Sequence, residues 1–187
     1  MKTKIQLRKK FLSLRKKKYF ELSKEKFTKL SEYLKRKTKT IKKPIIALYY
    51  PSNYEINILK ILESFKTCNV KFLLPKIQNN NLLSFVEWKE RDVLLVNKFG
   101  IPEPLKKQKK IYLPDIVLVP LLAFDNNRNR LGYGKGFYDR YLKQLYKLNN
   151  KVEAIGVAFS FQKFKKIPSS SFDFQLNNIF TEKGFIE

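Results

Sequence analysis

The stretch DIVLVP, residues 115–120, puts four apolar residues in a row between an aspartate and a proline, and its reading decides the fold. With no wet-dry alternation, such a run fits a strand buried on both faces, as in a parallel sheet covered by helices. Upstream, IIALYY (45–50) and VKFLL (70–74) run in the same way into Pro51 and Pro75, and AIGVAF (154–159) supplies a fourth run. The prolines predict that the first three strands stop where they stand. Ile58, Leu59, Leu62 and Phe65 recur at helical spacing between the first two runs, and Tyr138, Tyr141, Leu142 and Leu145 do so after the third. Strand-helix-strand alternation predicts an α/β fold with right-handed crossovers, a three-layer α/β/α open and mainly parallel sheet of the Rossmann-like kind. LLSFVEW (82–88) and DVLLV (92–96) read as an antiparallel excursion ahead of the loop NKFGIPEPL (97–105).

At the N-terminus, Leu7, Phe11 and Leu14 make one helical stripe among lysines, and Phe27, Leu30 and Leu34 a second. Ser23 is placed to cap the second helix, with Glu25 in its first turn. Residues 1–43 are therefore expected to form a basic helical hairpin packed on a single domain spanning 1–187. Length and a 43% apolar content suffice for one substantial core, and no repeat or linker divides the chain.

Composition removes whole classes of chemistry. The chain has no histidine, which excludes a histidine base, Ser-His and Cys-His nucleophiles and the common histidine metal sites. A single cysteine, Cys68, excludes an internal disulfide and a thiolate zinc cluster, and suits a reducing cytoplasm. No apolar run approaches the ~18 residues of a membrane span, and the lysine-rich start lacks the apolar core of a signal peptide. What is left is positioning, Lys and Arg electrostatics and oxygen-ligated magnesium, the equipment of phosphoryl transfer. The net charge of +24 is compatible with nucleic acid, an acidic membrane, polyanionic small substrates or simply a lysine-rich solvated surface. Residues 1–43 hold eighteen Lys and Arg against three Glu, so +15 of it lies there.

Ligands of open α/β sheets bind beyond the carboxyl ends of the strands. After Pro51 comes SNYEI with Glu55. After Pro120 comes RLGYGKGFYDRYL, residues 130–142, in which Gly132, Gly134 and Gly136 lead into a helix. Glycines admit a phosphate close to the backbone, and a helix start offers free N–H groups and a positive dipole end. Lys135 and Arg130 add cations, so the loop is expected to cradle an anion. It is neither a P-loop nor a dinucleotide fingerprint, since G-x-x-x-x-G-K-[ST] is absent and Phe137 occupies the third glycine position of G-x-G-x-x-G. Asp139 is either a dipole-favoured helix starter or a magnesium ligand beside that anion.

Taken as one string, VPLLAFDNNRNRLGYGKGFYDRYL (119–142) resembles the signature of the 5-formyltetrahydrofolate cyclo-ligases, also called methenyltetrahydrofolate synthetases. Further matching pieces are K-x-x-L-R at Lys4 and Arg8, IALYYPSNYEI (46–56), NKFGIPEP (97–104), IGVAFSFQ (155–162) and Asp173 with the Thr181-Glu182 pair. The resemblance implies ATP-dependent conversion of 5-formyltetrahydrofolate to 5,10-methenyltetrahydrofolate, with ADP and phosphate released. Carried over by position, Lys4, Ile5, Gln6, Leu7 and Arg8 would contact ATP. So would Arg130, Leu131, Gly132, Tyr133, Gly134, Lys135, Gly136, Phe137 and Tyr138 around its phosphates. Lys135 and Arg130 would be the catalytic cations, Tyr50 and Glu55 would line the folate site, and Asp139 and Asp173 would hold Mg²⁺. The chain departs from the family pattern at Phe172 and Asn177, where histidine and aspartate are frequent, and Asn177 offers only a neutral oxygen. The implied partners are these small molecules, with no membrane or nucleic acid, acting on a cytoplasmic monomer. A nucleic-acid-binding module would leave the glycine loop and Glu55 without a role, and no RNA-recognition aromatic motif appears.

Overall fold

The computed structural model describes residues 3–78, 82–105 and 110–186. In chain order its elements are α1 (Lys4–Lys18), α2 (Thr28–Thr38), β1 (Ile45–Ala47), β2 (Lys71–Ile77), β3 (Leu83–Glu87), β4 (Leu94–Val96), β5 (Pro102–Pro104) and β6 (Ile116–Pro120). There follow β7 (Ala123–Phe124), β8 (Arg130–Leu131), α3 (Phe137–Leu148), β9 (Glu153–Val157), β10 (Asn178–Thr181) and β11 (Gly184–Phe185). Seven strands form one sheet in the order β11-β10-β9-β6-β1-β2-β3. The five inner strands run parallel, and β3 and β11 close the edges antiparallel.

All five residues of β6 are buried, as an unbroken apolar run requires, and its side chains alternate between two cores. Ile116 and Leu118 join Ile46, Ile155 and the α2 residues Leu30 and Leu34 on one face. Val117 and Val119 join Ala47, Ala154 and the α3 residues Leu142 and Leu145 on the other. A third cluster, outside the sheet, packs Leu7 and Phe11 of α1 onto Leu122, Ala123, Leu131 and Ile167. The two N-terminal helices are thus present, but they bury their apolar sides in different clusters. Helix α1 sits over the β7–β8 ribbon and α2 on the sheet face.

Several expected boundaries move. Strand β1 ends at Ala47, well before Pro51, while β2 runs through Pro75 to Ile77. Pro75 opposes Phe85 of β3, and the flanking β2–β3 hydrogen bonds fall at Phe72 and Gln78, so its nitrogen faces the β1 side. There β1 has already stopped pairing, and the missing N–H costs no ladder bond. Residues Ile58–Phe65 form a 3-10 helix, not an α-helix. Its three-residue turn puts Ile58 and Ile61 on one buried line. Ser23 precedes a short 3-10 turn, Lys24–Phe27, and α2 starts only at Thr28. The loop after β4 contains β5, which pairs with β4 in a separate ribbon.

The chain order fixes where a ligand can enter. From β1 the sheet grows outward to β2 and β3, whereas β6, β9 and β10 add on the opposite side. The reversal lies between β1 and β6, and the crevice beyond their carboxyl ends is where open α/β sheets take ligands.

Candidate active site

Two exits from the sheet flank that crevice. The chain leaves β1 into Tyr49, Tyr50 and the turn carrying Glu55, and leaves β6 at Pro120, returning through β7 and β8 into the glycine loop. Between them lies a cavity of about 430 Å³, also walled by Lys4 and Arg8 of α1, by Phe99 and Glu103 of the β4–β5 ribbon and its turn, and by Asp173. Cavities of this size take drug-sized ligands.

Glu55 occupies the buried end and is 5% exposed. Its turn places Asn53 and Tyr54 at φ 48° and 62°, two consecutive non-glycine residues in the left-handed region. Such conformations cost on the order of 1–3 kcal/mol each and concentrate at functional sites. Here the turn swings Glu55 inward, where the Ser52 N–H donates to Oε2 at 2.8 Å and the Tyr133 hydroxyl donates to Oε1. Arg15 Nη2 donates to the same Tyr133 oxygen, Nη1 donates to the Leu121 carbonyl at 3.2 Å, and Nη1 lies 3.9 Å from Glu55 Oε1. Burial pushes the Glu55 carboxyl above its ordinary value, while Arg15 and the hydrogen bonds from Tyr133 and Ser52 pull it back. Burial and the Glu55 charge push the Tyr133 and Tyr138 hydroxyls up as well, which keeps both as neutral donors.

The opposite end is built from the glycine loop and the start of α3. Gly134 (φ 100°) and Gly136 (φ 66°, the N-cap of α3) take left-handed conformations that a side chain would strain. A Cβ on Gly134 would also meet Arg8 Cζ at 3.1 Å. Arg8 Nε donates to the Gly132 carbonyl at 2.9 Å, which lays α1 across the loop. Lys4 Nζ pairs with Asp173 Oδ2 at 2.6 Å, and Arg130 Nη2 with Asp139 Oδ1 at 2.9 Å. Burial pushes the Asp173 carboxyl up, but Lys4 and Ser170 outweigh it and hold the group below the usual carboxylate range. Lys135 is exposed at the cavity wall, and among the described residues its ammonium has no carboxylate partner.

The described residues hold no cluster of three or more Asp, Glu or Cys side chains able to cage a metal alone. Magnesium at nucleotide sites needs only one or two carboxylates, with phosphates and water completing the octahedron. Asp139 and Asp173 face one cavity, and the Phe174 N–H, next in chain to Asp173, donates to Asp139 Oδ1 at 3.1 Å. This donor pair fits the ion as part of a nucleotide complex.

The cavity therefore gathers Lys4, Arg8, Tyr50, Glu55, the loop residues Arg130, Leu131, Gly132, Tyr133, Gly134, Lys135, Gly136, Phe137 and Tyr138, and both aspartates. Ile5, Gln6 and Leu7 are not among its walls. A helix offers one face to a neighbour, and on α1 that face carries positions 4 and 8. Ile5 points to solvent, Gln6 closes a capping box with Thr3, and Leu7 is core. Asn177 also lies apart, its Oδ1 accepting the Ala154 N–H at 2.8 Å where β9 begins, and Phe172 is 81% exposed.

This arrangement has counterparts of known kind. Residues 1–182 match the model of the 5-formyltetrahydrofolate cyclo-ligase family. The chain belongs to that family. It is 33% identical over 140 residues to a 5-formyltetrahydrofolate cyclo-ligase of Haemophilus influenzae, covering 72% of this chain and 73% of the relative. Among solved structures it resembles the 5,10-methenyltetrahydrofolate synthetase of Aquifex aeolicus, with a TM-score of 0.69 and 33% identity over 97% of this chain and 91% of that one. It also resembles the 5,10-methenyltetrahydrofolate synthetase of Mycoplasma pneumoniae, with a TM-score of 0.69 and 28% identity over 97% and 99% of the two chains. The chain is accordingly a ligase of folate one-carbon metabolism, from a family that uses ATP as co-substrate. No helix among the described residues is long and apolar enough to cross a membrane.

Arg15 is the residue that sequence reasoning passes over. A stripe of Leu7, Phe11 and Leu14 accounts for an amphipathic helix, yet the buried face of α1 is Leu7, Phe11 and Arg15, and Leu14 is only partly buried. The available signal was a charged residue at the four-residue step after two core positions.

Proposed function

We propose that the chain converts 5-formyltetrahydrofolate and ATP to 5,10-methenyltetrahydrofolate, ADP and phosphate, with phosphorylation of the formyl oxygen preceding ring closure. One observation carries this reading. Glu55 and the glycine loop, which would serve the folate and the nucleotide, wall a single cavity of about 430 Å³ from opposite sides. That volume takes about one drug-sized molecule, so two substrates share it by their reacting ends.

A formyl amide oxygen is a poor leaving group until it carries a phosphoryl group. In the proposed sequence it attacks the γ-phosphorus and the bond to ADP breaks. N10 then adds to the formyl carbon, the C–O bond breaks as phosphate departs, and N10 loses its proton, leaving the cationic methenyl bridge. No residue need form a covalent bond, which suits a chain without histidine, and the rate enhancement comes from alignment and charge stabilisation.

Glu55 holds the pterin end by accepting its N–H donors. Tyr133 and Ser52 use part of the carboxylate, and its remaining lone pairs serve the substrate. Tyr50 borders the same end. Lys135 is the cation at the transferred phosphoryl group, without a carboxylate partner among the described residues, and Arg130 supports the phosphates from its buried seat on Asp139. Lys4 and Arg8 approach the nucleotide from α1. Asp139 and Asp173 would hold Mg²⁺, which would supply positive charge to offset that of the phosphates. The test is methenyltetrahydrofolate absorbance from purified protein. Turnover is expected only with 5-formyltetrahydrofolate, ATP and Mg²⁺ together, and product formed without ATP would sink the proposal.

A further inference from the structure

Arg15 is 1% exposed and is not a wall of the cavity, so it cannot touch a substrate directly. Its position on α1, one step beyond Leu7 and Phe11, would be satisfied by a leucine or methionine. A guanidinium buried there loses its hydration, and its Nε finds no hydrogen-bond partner among the described residues. Its remaining contacts run in one direction, to the Leu121 carbonyl, to the Tyr133 hydroxyl and towards Glu55. Tyr133 in turn sits between Gly132 and Gly134, the residue 38% exposed and its hydroxyl reaching inward to Glu55.

We propose that Arg15 is a positioning residue for Glu55, acting through the Tyr133 hydroxyl, and that this relay ties the glycine loop to the carboxylate at the other end of the cavity. The Tyr133 oxygen accepts from Arg15 while its proton goes to Glu55, so a fixed positive group orders the hydroxyl and the hydroxyl fixes the carboxylate rotamer. Without Arg15 the hydroxyl loses its orientation and Glu55 loses its one charged partner among the described residues, and a buried carboxylate without compensation turns away or takes up a proton. The groups facing Glu55 are Arg15 from α1, Tyr49 after β1, Ser52 from its own turn, Tyr133 from the loop and Tyr138 from α3. Arg15 is the one cation among them.

The inference rests on the assignment of Glu55 to the folate, and a double-mutant cycle separates the two. The dissociation constant of 5-formyltetrahydrofolate is measured without nucleotide for the native chain, Glu55→Gln, Arg15→Met, Arg15→Lys, Tyr133→Phe and each of the last three combined with Glu55→Gln. Tyr133→Phe removes one oxygen and keeps the ring, so it reports even where Arg15→Met fails to fold. Tyr133→Phe is expected to weaken binding about 10-fold and Arg15→Met more, the scale of a hydrogen bond to a charged group, with Arg15→Lys restoring part of the loss. In the Glu55→Gln background each change should fall below about 2-fold, as expected for residues that act through Glu55. With Tyr133→Phe the loss of affinity in acid should also begin at higher pH, because Glu55 has lost a group that favours its charged form. Equal losses in both backgrounds would make Arg15 and Tyr133 simple packing residues and overturn the proposal. Should Glu55→Gln weaken binding while Tyr133→Phe does not, this inference alone falls; should Glu55→Gln change nothing, the folate assignment falls with it.

Discussion

At one end of the cavity the side chains of Arg15 and Glu55 are 1% and 4% exposed, and at the other those of Lys4 and Asp173 are 29% and 26% exposed. The buried pair is joined through the Tyr133 hydroxyl, whereas Lys4 and Asp173 meet directly at a solvent-reached cavity, beside the more enclosed pair of Arg130 with Asp139, whose side chains are 4% and 18% exposed. Charges in a water-poor site act strongly and cannot easily change partners; charges near water are screened and exchange partners cheaply. The difference suits two kinds of substrate. A polyanion arriving with its own metal can take over the cations and release the carboxylates, while a largely neutral ring system needs an acceptor already in place. Helix α1 supplies cations to both ends, Lys4 and Arg8 to one and Arg15 to the other.

The largest effect is expected at the open end's Lys135, which has no carboxylate partner among the described residues. Lys135→Ala should lower kcat about 100-fold or more, the scale of one lost transition-state donor, with little change in KM for ATP. A change confined to KM would make Lys135 a binding group like Lys4 and remove the contrast within that end. Glu55→Gln should come next, lowering kcat/KM for 5-formyltetrahydrofolate about 10-fold to 100-fold while the KM for ATP moves less than about 2-fold. Comparable losses for both substrates would mean that the two ends are not separable.

The same glutamate gives a pH prediction with a definite sign. In the proposed role its charged form is the acceptor, and burial raises its pKa, so folate affinity should fall as pH drops through a value above the ordinary carboxylate range. Glu55→Gln should erase that limb. For stability the sign is opposite. A carboxyl whose folded pKa is raised favours the native state below its unfolded pKa, and that contribution is lost as pH rises through the folded value. Near neutral pH, Glu55→Gln is therefore expected to hold or raise the Tm while it harms binding, the pattern of a residue kept for function.

How much of this was legible in the sequence follows the same division. The parallel core was readable because β6 is buried on both faces and therefore apolar throughout, and the glycine loop because positive φ at Gly134 and Gly136 restricts the residue type. Strand ends were less so. Pro75 sits inside β2 because β1 is only three residues long, a fact about the neighbouring strand and not about the proline. The residues of the open end came with short local strings, Lys4 and Arg8 from the family-like K-x-x-L-R and Asp139 from the first turn of α3, whereas their pairings with one another did not. The buried end joins residues 15, 55 and 133, of which Arg15 is ordinary in its own segment, and the packing of α1 on the β7–β8 ribbon brings it to the other two.

The smallest predicted effect is the one that most sharply tests whether the open end is exchangeable. Lys4→Met breaks the pair with Asp173, whose carboxyl is held below its usual range, so the pair stabilises the fold above the ordinary carboxylate pKa and the benefit fades as pH falls through the lowered value. With both side chains more than a quarter exposed, solvent screening limits that benefit to about 0.5 kcal/mol or less, which in a thermal melt is a shift of a few degrees at most. The KM for ATP should nevertheless rise a few-fold, and its increase between about 0.05 and 0.5 M salt should be shallower than in the native chain, because one screened contact to the polyphosphate is gone. A large drop in Tm with an unchanged salt response would give the opposite picture. Lys4 and Asp173 would then be a strut that docks α1, as preformed as Arg15 and Glu55, and the nucleotide would have to bind beside the pair instead of replacing it.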